Sequence, residues 1–334
     1  MAMSTRPLSR RALLATTALA AAALATLAAP AAAQAPAYPN KPIRLVVPYP
    51  PGGGTDILAR LVATKLQEAW SQTVTVDNKP GASGVLGNDA VAKAPPDGYT
   101  LLLGITAIVQ GATLFPKLPY DPYKDFAPVS LLSSSTSLLA VPNSLPVKTM
   151  AEFVALVKSQ PGKHSFGTYG NGTSAHIQGE LLKSQAGLDL IHVPYKGAAP
   201  LVTDLLGGQV SAAFVDVGTA RAHVKAGAFK VLGATGTERL KMAPEVPLMS
   251  ELGYKHFEPK GWFGFFLPAG TPAPIVKKLS TEIARIVRLP DVSQRIEELG
   301  QVPVGSSAEQ FAEVIRYDGP LYAKLIKDLN IRLD

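Results

Sequence analysis

Four short stretches of this 334-residue chain combine glycine with hydroxyl or amide groups in one repeated setting. They are Pro51-Gly-Gly-Gly-Thr-Asp56, Pro80-Gly-Ala-Ser-Gly84, Gly170-Asn-Gly-Thr-Ser174 and Tyr195-Lys-Gly197. Each follows strand-forming residues and precedes a helical pattern. The first N–H groups of a helix have no partner inside the helix, and its dipole favours negative charge there. Glycine lets such a backbone come close to a ligand, because no Cβ stands in the way. One such turn is an ordinary loop. Several in the same topological position predict a shared cleft for an anion.

Other chemistries fit less well. Gly170-Asn-Gly172-Thr-Ser-Ala175 matches a dinucleotide fingerprint, but the next strand, Ile191-His-Val-Pro194, ends without the acid that would hold a ribose. No P-loop and no G-x-S-x-G elbow is present. No cofactor is expected. The chain has no cysteine, which excludes thiolate catalysis, cysteine-held zinc and disulfides. His176 and Glu180 share a helix face and could hold a metal, but such a polar pair is usually only that. No metal and no catalytic residue are assigned. Ser83 and Ser174 read as hydrogen-bond donors or caps, and His192 as a core or hinge hydrogen-bonder. Asp216 either contacts ligand or caps the next helix, capping being the safer reading. Trp262 to Phe266 either stack on a ligand or form hinge core.

These turns need strands and helices to hold them. Ile43–Val47, Val74–Val76 and Leu101–Leu103 read as strands. Leu58, Leu61, Val62 and Leu66 repeat at helical spacing, with Thr55 as the expected cap. A second series follows: a helix opened by the capping box Thr149-Met-Ala-Glu152, a strand at Ser165-Phe166, a helix from Ser174 to Ala186, a strand at Ile191–Val193, a helix through Leu206, and a strand over Val210–Val215. Trp262–Leu267 is extended, and helices over 274–289 and 308–329 end the chain, the last opened by a second capping box, Ser307-Ala-Glu-Gln310. The pattern predicts two α/β lobes. Crossings are placed near Ser134–Val141 and Lys260–Leu267, so that two strands form a hinge.

Apolar residues make up 47% of the chain and charged residues 17%, enough for two ordinary cores. The net charge is +7, but Arg6, Arg10 and Arg11 fall in the first 33 residues, where no acid is present. The rest carries 29 basic and 25 acidic residues without basic runs, so no nucleic-acid partner is expected. Ser9-Arg10-Arg11, an Ala/Leu-rich stretch and Pro30-Ala-Ala-Ala33 read as a signal peptide cleaved near Ala33, with paired arginines that hint at the twin-arginine route. No later run approaches the roughly 18 apolar residues of a membrane span. The mature chain is expected in the periplasm, as a monomer.

Five segments carry a family resemblance: Tyr49-Pro-Pro-Gly-Gly-Gly-Thr-Asp-Ile-Leu-Ala-Arg60, Asn78-Lys-Pro-Gly-Ala82, Ala94-Pro-Pro-Asp-Gly-Tyr-Thr-Leu101, Gly170-Asn-Gly-Thr-Ser-Ala-His176 and His192-Val-Pro-Tyr-Lys-Gly197. Together they resemble the Bug family, the extracytoplasmic binding proteins of tripartite tricarboxylate transporters. The resemblance implies an α/β, two-lobed periplasmic binding protein fold of type II, a Venus flytrap with two crossing hinge strands. The lobes would be residues 38–137 with 262–334, and residues 138–261. It implies a small organic carboxylate as ligand: a di- or tricarboxylate, an acidic amino acid or an aromatic acid. Backbone amides, hydroxyls and waters would hold it, without an arginine clamp. Carried over by position, the shell comprises Tyr49, Pro51, Gly52, Gly53, Ala82, Ser83, Gly172, Thr173 and Ser174, with Gly197 and Asp216 beside them. Ser83 stands where the family usually has glycine. Tyr169 stands where a small residue is common, and would narrow the cleft or stack on an aromatic acid. Membrane permease subunits or a sensor kinase are the implied partners. An enzyme acting on organic acids is the remaining alternative, for which no base–nucleophile pair is visible.

Overall fold

The computed structural model describes residues 38–240, 243–258 and 261–332. The expected signal peptide, 1–33, and Lys260 at the second expected crossing lie outside the described residues.

Two mixed sheets organise the chain. The first has the order β11-β4-β10-β3-β1-β2, from β1 (Ile43–Val47), β2 (Val74–Asn78), β3 (Thr100–Ile105), β4 (Phe126–Ser135), β10 (Gly261–Pro268) and β11 (Val302–Pro303). In it β1 runs parallel to β2 and β3, and β10 antiparallel to β3 and β4. The second has the order β7-β6-β8-β5-β9, from β5 (Ser137–Pro142), β6 (His164–Thr168), β7 (Leu190–Pro194), β8 (Ala212–Asp216) and β9 (Phe229–Ala234). Central strands are apolar along their whole length, as both faces are covered: Leu101, Leu102 and Leu103 are fully buried.

Helices cover the sheets. Around the first sheet lie α1 (Gly54–Trp70), α2 (Val85–Ala92), α3 (Ala107–Leu114), α8 (Ala273–Val287), α9 (Pro290–Glu298) and α10 (Ala308–Asp328); around the second lie α4 (Met150–Ser159), α5 (Ser174–Ala186), α6 (Ala198–Leu206) and α7 (Val217–Lys225). The two capping boxes read from sequence form, at Thr149/Glu152 and at Ser307/Gln310. Thr55 does not cap α1. The helix begins two residues earlier, with Gly53 at the N-cap, and Thr55 is buried inside the first turn. The expected helix over 274–289 stops at Val287, because Pro290 starts a separate helix that the sequence reading lacked.

The chain passes between the sheets where β4 gives way to β5, with Thr136 alone between them. It returns at the start of β10, and Gly261 there pairs with Ser135, so the two passages run side by side. Behind them is an aromatic cluster: Phe311 meets the edge of Trp262 at 5.2 Å and lies 5.0 Å from Phe266. Gly264 makes room for it, since a Cβ there would sit 2.1 Å from Phe311 Cζ. Trp262 Nε1 donates to Asp318 Oδ2 at 2.9 Å. Asp318 is only 6% exposed, and burial pushes its carboxyl up to about 6 even though the indole bond opposes the shift.

Two outcomes are expected. Gly264→Ala should destabilise the protein by roughly 1–3 kcal/mol, read as a lowered urea midpoint, because the ring cluster is already close-packed. For Asp318, a raised folded value means that folding takes up a proton between pH 3.8 and about 6, so its contribution is present at low pH and lost as pH rises. Asp318→Asn keeps an acceptor for Trp262 and removes the charge. It should stabilise by about 1–3 kcal/mol at pH 7 and give no gain near pH 4, in urea unfolding at the two pH values.

Candidate ligand cleft

Between the sheets lies a cleft of about 610 Å³. Its floor is the pair of passages, through Ser135, Ser137, Gly261, Trp262 and Phe263. One wall is Tyr49, the start of α1 (Gly54, Thr55, Ile57) and the end of β3 with α3 (Ile105, Thr106, Ala107, Gln110). The opposite wall is Tyr169 and the starts of α5 (Thr173, Ser174, Ala175), α6 (Gly197, Ala198) and α7 (Asp216, Gly218, Thr219). Glu298, Leu299 and Gln301 complete it. Five helices thus begin at this cleft among the described residues. Ligand crevices of α/β sheets lie at the carboxyl ends of strands for this reason.

The five helix starts are not alike. Two are closed by their own side chains. Thr173 Oγ1 accepts from His176 N–H and donates to the Gly170 carbonyl at 2.9 Å. Asp216 accepts from Thr219 N–H at 2.8 Å and from Tyr169 Oη–H at 2.7 Å, while Tyr169 Oη accepts from Asp216 N–H. Burial, with the Asp216 carboxylate beside it, holds the Tyr169 phenol well above its ordinary value and so neutral. The other three starts lack a side-chain cap. Gly53 and Gly197 have no side chain to offer, and Thr106 Oγ1 is used by Trp262 N–H at 2.8 Å. At Gly197 φ is +104°, which suits glycine. The amides of α1 and α6 therefore face the cleft from opposite walls with no side chain closing them.

Six of the expected shell residues line this cleft: Tyr49, Tyr169, Thr173, Ser174, Gly197 and Asp216. Asp216 lines it while also capping α7. The lining does not include Pro51, Gly52, Gly53, Ala82, Ser83 or Gly172. The Gly52 amide is already satisfied by an internal anion, Asp56 Oδ2, at 2.9 Å. Burial opposes ionisation of Asp56, but bonds from Arg60, Gly52 and Asn78 outweigh it and hold the carboxyl below its ordinary range. The 81–84 turn has four successive positive φ values, at Gly81, Ala82, Ser83 and Gly84, which leave Ala82 and Ser83 exposed. Its Gly84 packs on Tyr49, where a Cβ would lie 3.0 Å from Oη, and the tyrosine lines the cleft instead. Gly172 is buried behind Thr173 and donates to His176 Nδ1 at 3.1 Å.

Sequence reasoning missed Thr106, Gln110, Ser135, Ser137, Thr219 and the 298–301 edge. Thr106 opens a strand-to-helix turn that lacks glycine, so a search keyed on glycine passes over it. The position of Thr106 straight after β3 is the signal that was there to find.

The walls touch in two places. Gln110 Nε2 on α3 donates to Ser174 Oγ on α5 at 3.0 Å. The start of α7 meets the end of α9: Arg221 donates to the Glu297 carbonyl at 3.0 Å, and a Cβ on Gly218 would lie 1.7 Å from Leu299 O. Among the described lining residues the charged ones are Asp216 and Glu298, both acidic, and Glu298 is half-exposed and paired with Arg295 at 2.9 Å. Glu180, the other half of the metal-capable pair, binds Lys183 at 2.9 Å. No three-residue metal cluster occurs among the described residues.

Comparison with known proteins agrees with this architecture. Residues 58–331 match the family described as the Tripartite tricarboxylate transporter family receptor, TctC. Protein BugT of Bordetella pertussis is 34% identical over 301 residues, 90% of this chain and 92% of BugT. The structure of Rpa4515 from R. palustris with adipate superposes with a TM-score of 0.80 at 32% identity, covering 89% of this chain and 100% of that one. MatC from Rhodopseudomonas palustris with bound malate gives a TM-score of 0.77 at 31% identity, over 86% of this chain and 100% of that one. The chain belongs to the tripartite tricarboxylate transporter receptors, the Bug proteins, and has their two-lobed periplasmic solute-binding fold.

Proposed function

We propose that this protein is a periplasmic receptor that captures a small organic carboxylate in the 610 Å³ cleft and catalyses no reaction. One observation carries the reading. The uncapped starts of α1 and α6 face a single cavity from opposite walls, and no cationic side chain lines that cavity among the described residues. Helix-start amides without an internal acceptor favour an anion, and a carboxylate supplies acceptors of the right charge. The family and the adipate and malate complexes of its relatives support the same ligand class.

The two lobes, residues 38–137 with 262–334 and residues 138–261, would close about the paired passages at Ser135–Ser137 and Gly261. Closure excludes water and strengthens each bond to the anion. Micromolar affinity needs about −8 kcal/mol, within reach of a few charge-assisted bonds plus contact with Tyr49, Tyr169 and Phe263. The cleft hydroxyls of Thr173 and Ser174 are engaged in capping and in the bond to Gln110 rather than beside a base. The leader ending near Ala33 would direct export. The ligand-bound monomer would then be read by permease subunits or a sensor kinase.

Thermal denaturation with succinate, malate, adipate, citrate, glutamate and benzoate tests the ligand class. At least one should raise Tm by several degrees at 100 times its Kd, where binding adds about 2.7 kcal/mol; no shift with any acid overturns the proposal. Gly54→Val places a side chain in open space at the α1 start. It should weaken binding of the responding acid by tenfold or more, about 1.4 kcal/mol, in calorimetry while the urea midpoint stays near the parent value. Undiminished affinity would remove α1 from the site.

A further inference from the structure

Behind the lobe-two wall of the cleft, three rings are stacked. His176 of α5 lies on His192 of β7 with centroids 3.9 Å apart and planes 11° apart, and Phe166 of β6 covers the other side of His192 at 4.9 Å. Neither histidine lines the cleft. Each is tied to the Gly170–Thr173 turn, whose Thr173 does. His176 Nδ1 accepts the Gly172 amide at 3.1 Å. His192 Nε2 lies 2.7 Å from Thr168 Oγ1, which is itself 3.3 Å from Gly170 N and from Gly170 O. Thr173 Oγ1 closes the loop on the Gly170 carbonyl.

We propose that the stacked pair His176 and His192 positions the Gly170–Thr173 turn, so that the lobe-two wall of the ligand cleft is ordered only while both rings are neutral. The chemistry is local. Gly172 N–H needs an acceptor, so Nδ1 of His176 must carry no proton and its hydrogen must sit on Nε2. Protonation puts a second donor against Gly172 N–H and breaks the bond. Two imidazolium rings at stacking distance also repel. The charged groups around them are Glu180 and Lys183, both on α5 and paired with each other; β6 contributes Phe166, Thr168 and, two residues along the same face, the titratable His164, which burial lowers and whose Nδ1 lies 2.9 Å from Ser211 Oγ; β7 contributes the second histidine. Burial pushes His192 down to about 4, with His176 and Lys183 adding to the effect, and burial likewise lowers His176. Such groups keep their bonds at neutral pH and lose them as pH falls through the depressed values.

The proposal takes the cleft as the ligand site, and its first readout is made without ligand so that the two are judged separately. Amide exchange by NMR on the full mature chain should show Gly172 protected at pH 7, with the protection factor falling about tenfold on acidification below the ordinary imidazole range, while Phe166 in β6 keeps its protection. His176→Leu should lose Gly172 protection at both pH values. His176→Asn offers an amide oxygen that does not titrate; it should restore protection and flatten the pH dependence. Adipate is the ligand probe: its Kd should rise at least tenfold more on acidification in the parent than in His176→Asn, which shares the titration of adipate itself. Gly172 protection unchanged in His176→Leu, or equal pH profiles in the parent and His176→Asn, overturns the proposal. Absence of adipate binding at pH 7 counts against the choice of ligand, and the Gly172 profile still decides the role of the histidines.

Discussion

A helix that starts without a side-chain cap leaves amides pointing at whatever lies in front of it, and this protein aims such starts at one cleft. The unpaired N–H groups and the helix dipole together make that place favour an anion. Where the chain supplies its own acceptor, the start is closed: Thr173 on His176, Asp216 on Thr219. Where glycine stands at the cap, at Gly53 and Gly197, it is left for something else. The same residue class therefore has two opposite effects, set by the neighbouring side chain.

The rest of the architecture keeps those starts opposite each other. Thr136 alone separates the last residue of one sheet from the first of the other, and its carbonyl accepts Val217 N–H, which ties the start of α7 to the passage. Trp262 stands at the other passage with its indole N–H held by a buried carboxyl and its ring set perpendicular to Phe311. Close approach is built in by Gly264 beneath the aromatic cluster and by Gly218 against the α9 end, where no Cβ fits. A hinge made of two adjacent strands bends with small dihedral changes.

Much of this was legible in the chain. Alternation of apolar strands and amphipathic helices predicts two α/β layers, because each pattern has its own period. The capping boxes at Thr149 and Ser307 formed as read, since both partners lie within one helical turn. The glycine at 197 was found on local grounds alone. Thr55 was misread because Gly53 and Gly54 accept helix-starting dihedrals that the choice of a threonine cap did not consider. The Ala82–Ser83 turn resembled the others in composition, yet its run of left-handed residues directs it outward.

Sequence by itself determined the elements, the family and the set of turns from which a binding wall can be made, for these depend on neighbours a few residues apart. Only the tertiary structure decided which turns share the cavity. Asp56 reaching back engages the Gly52 amide and leaves Gly54 and Thr55 of the same turn at the cavity, Tyr49 stands in front of Gly84, and Thr106 and Gln110 enter from a turn with no glycine. The physical reason is that satisfaction of an amide depends on every acceptor within about 3 Å in space, and that neighbourhood is fixed by folding rather than by order along the chain.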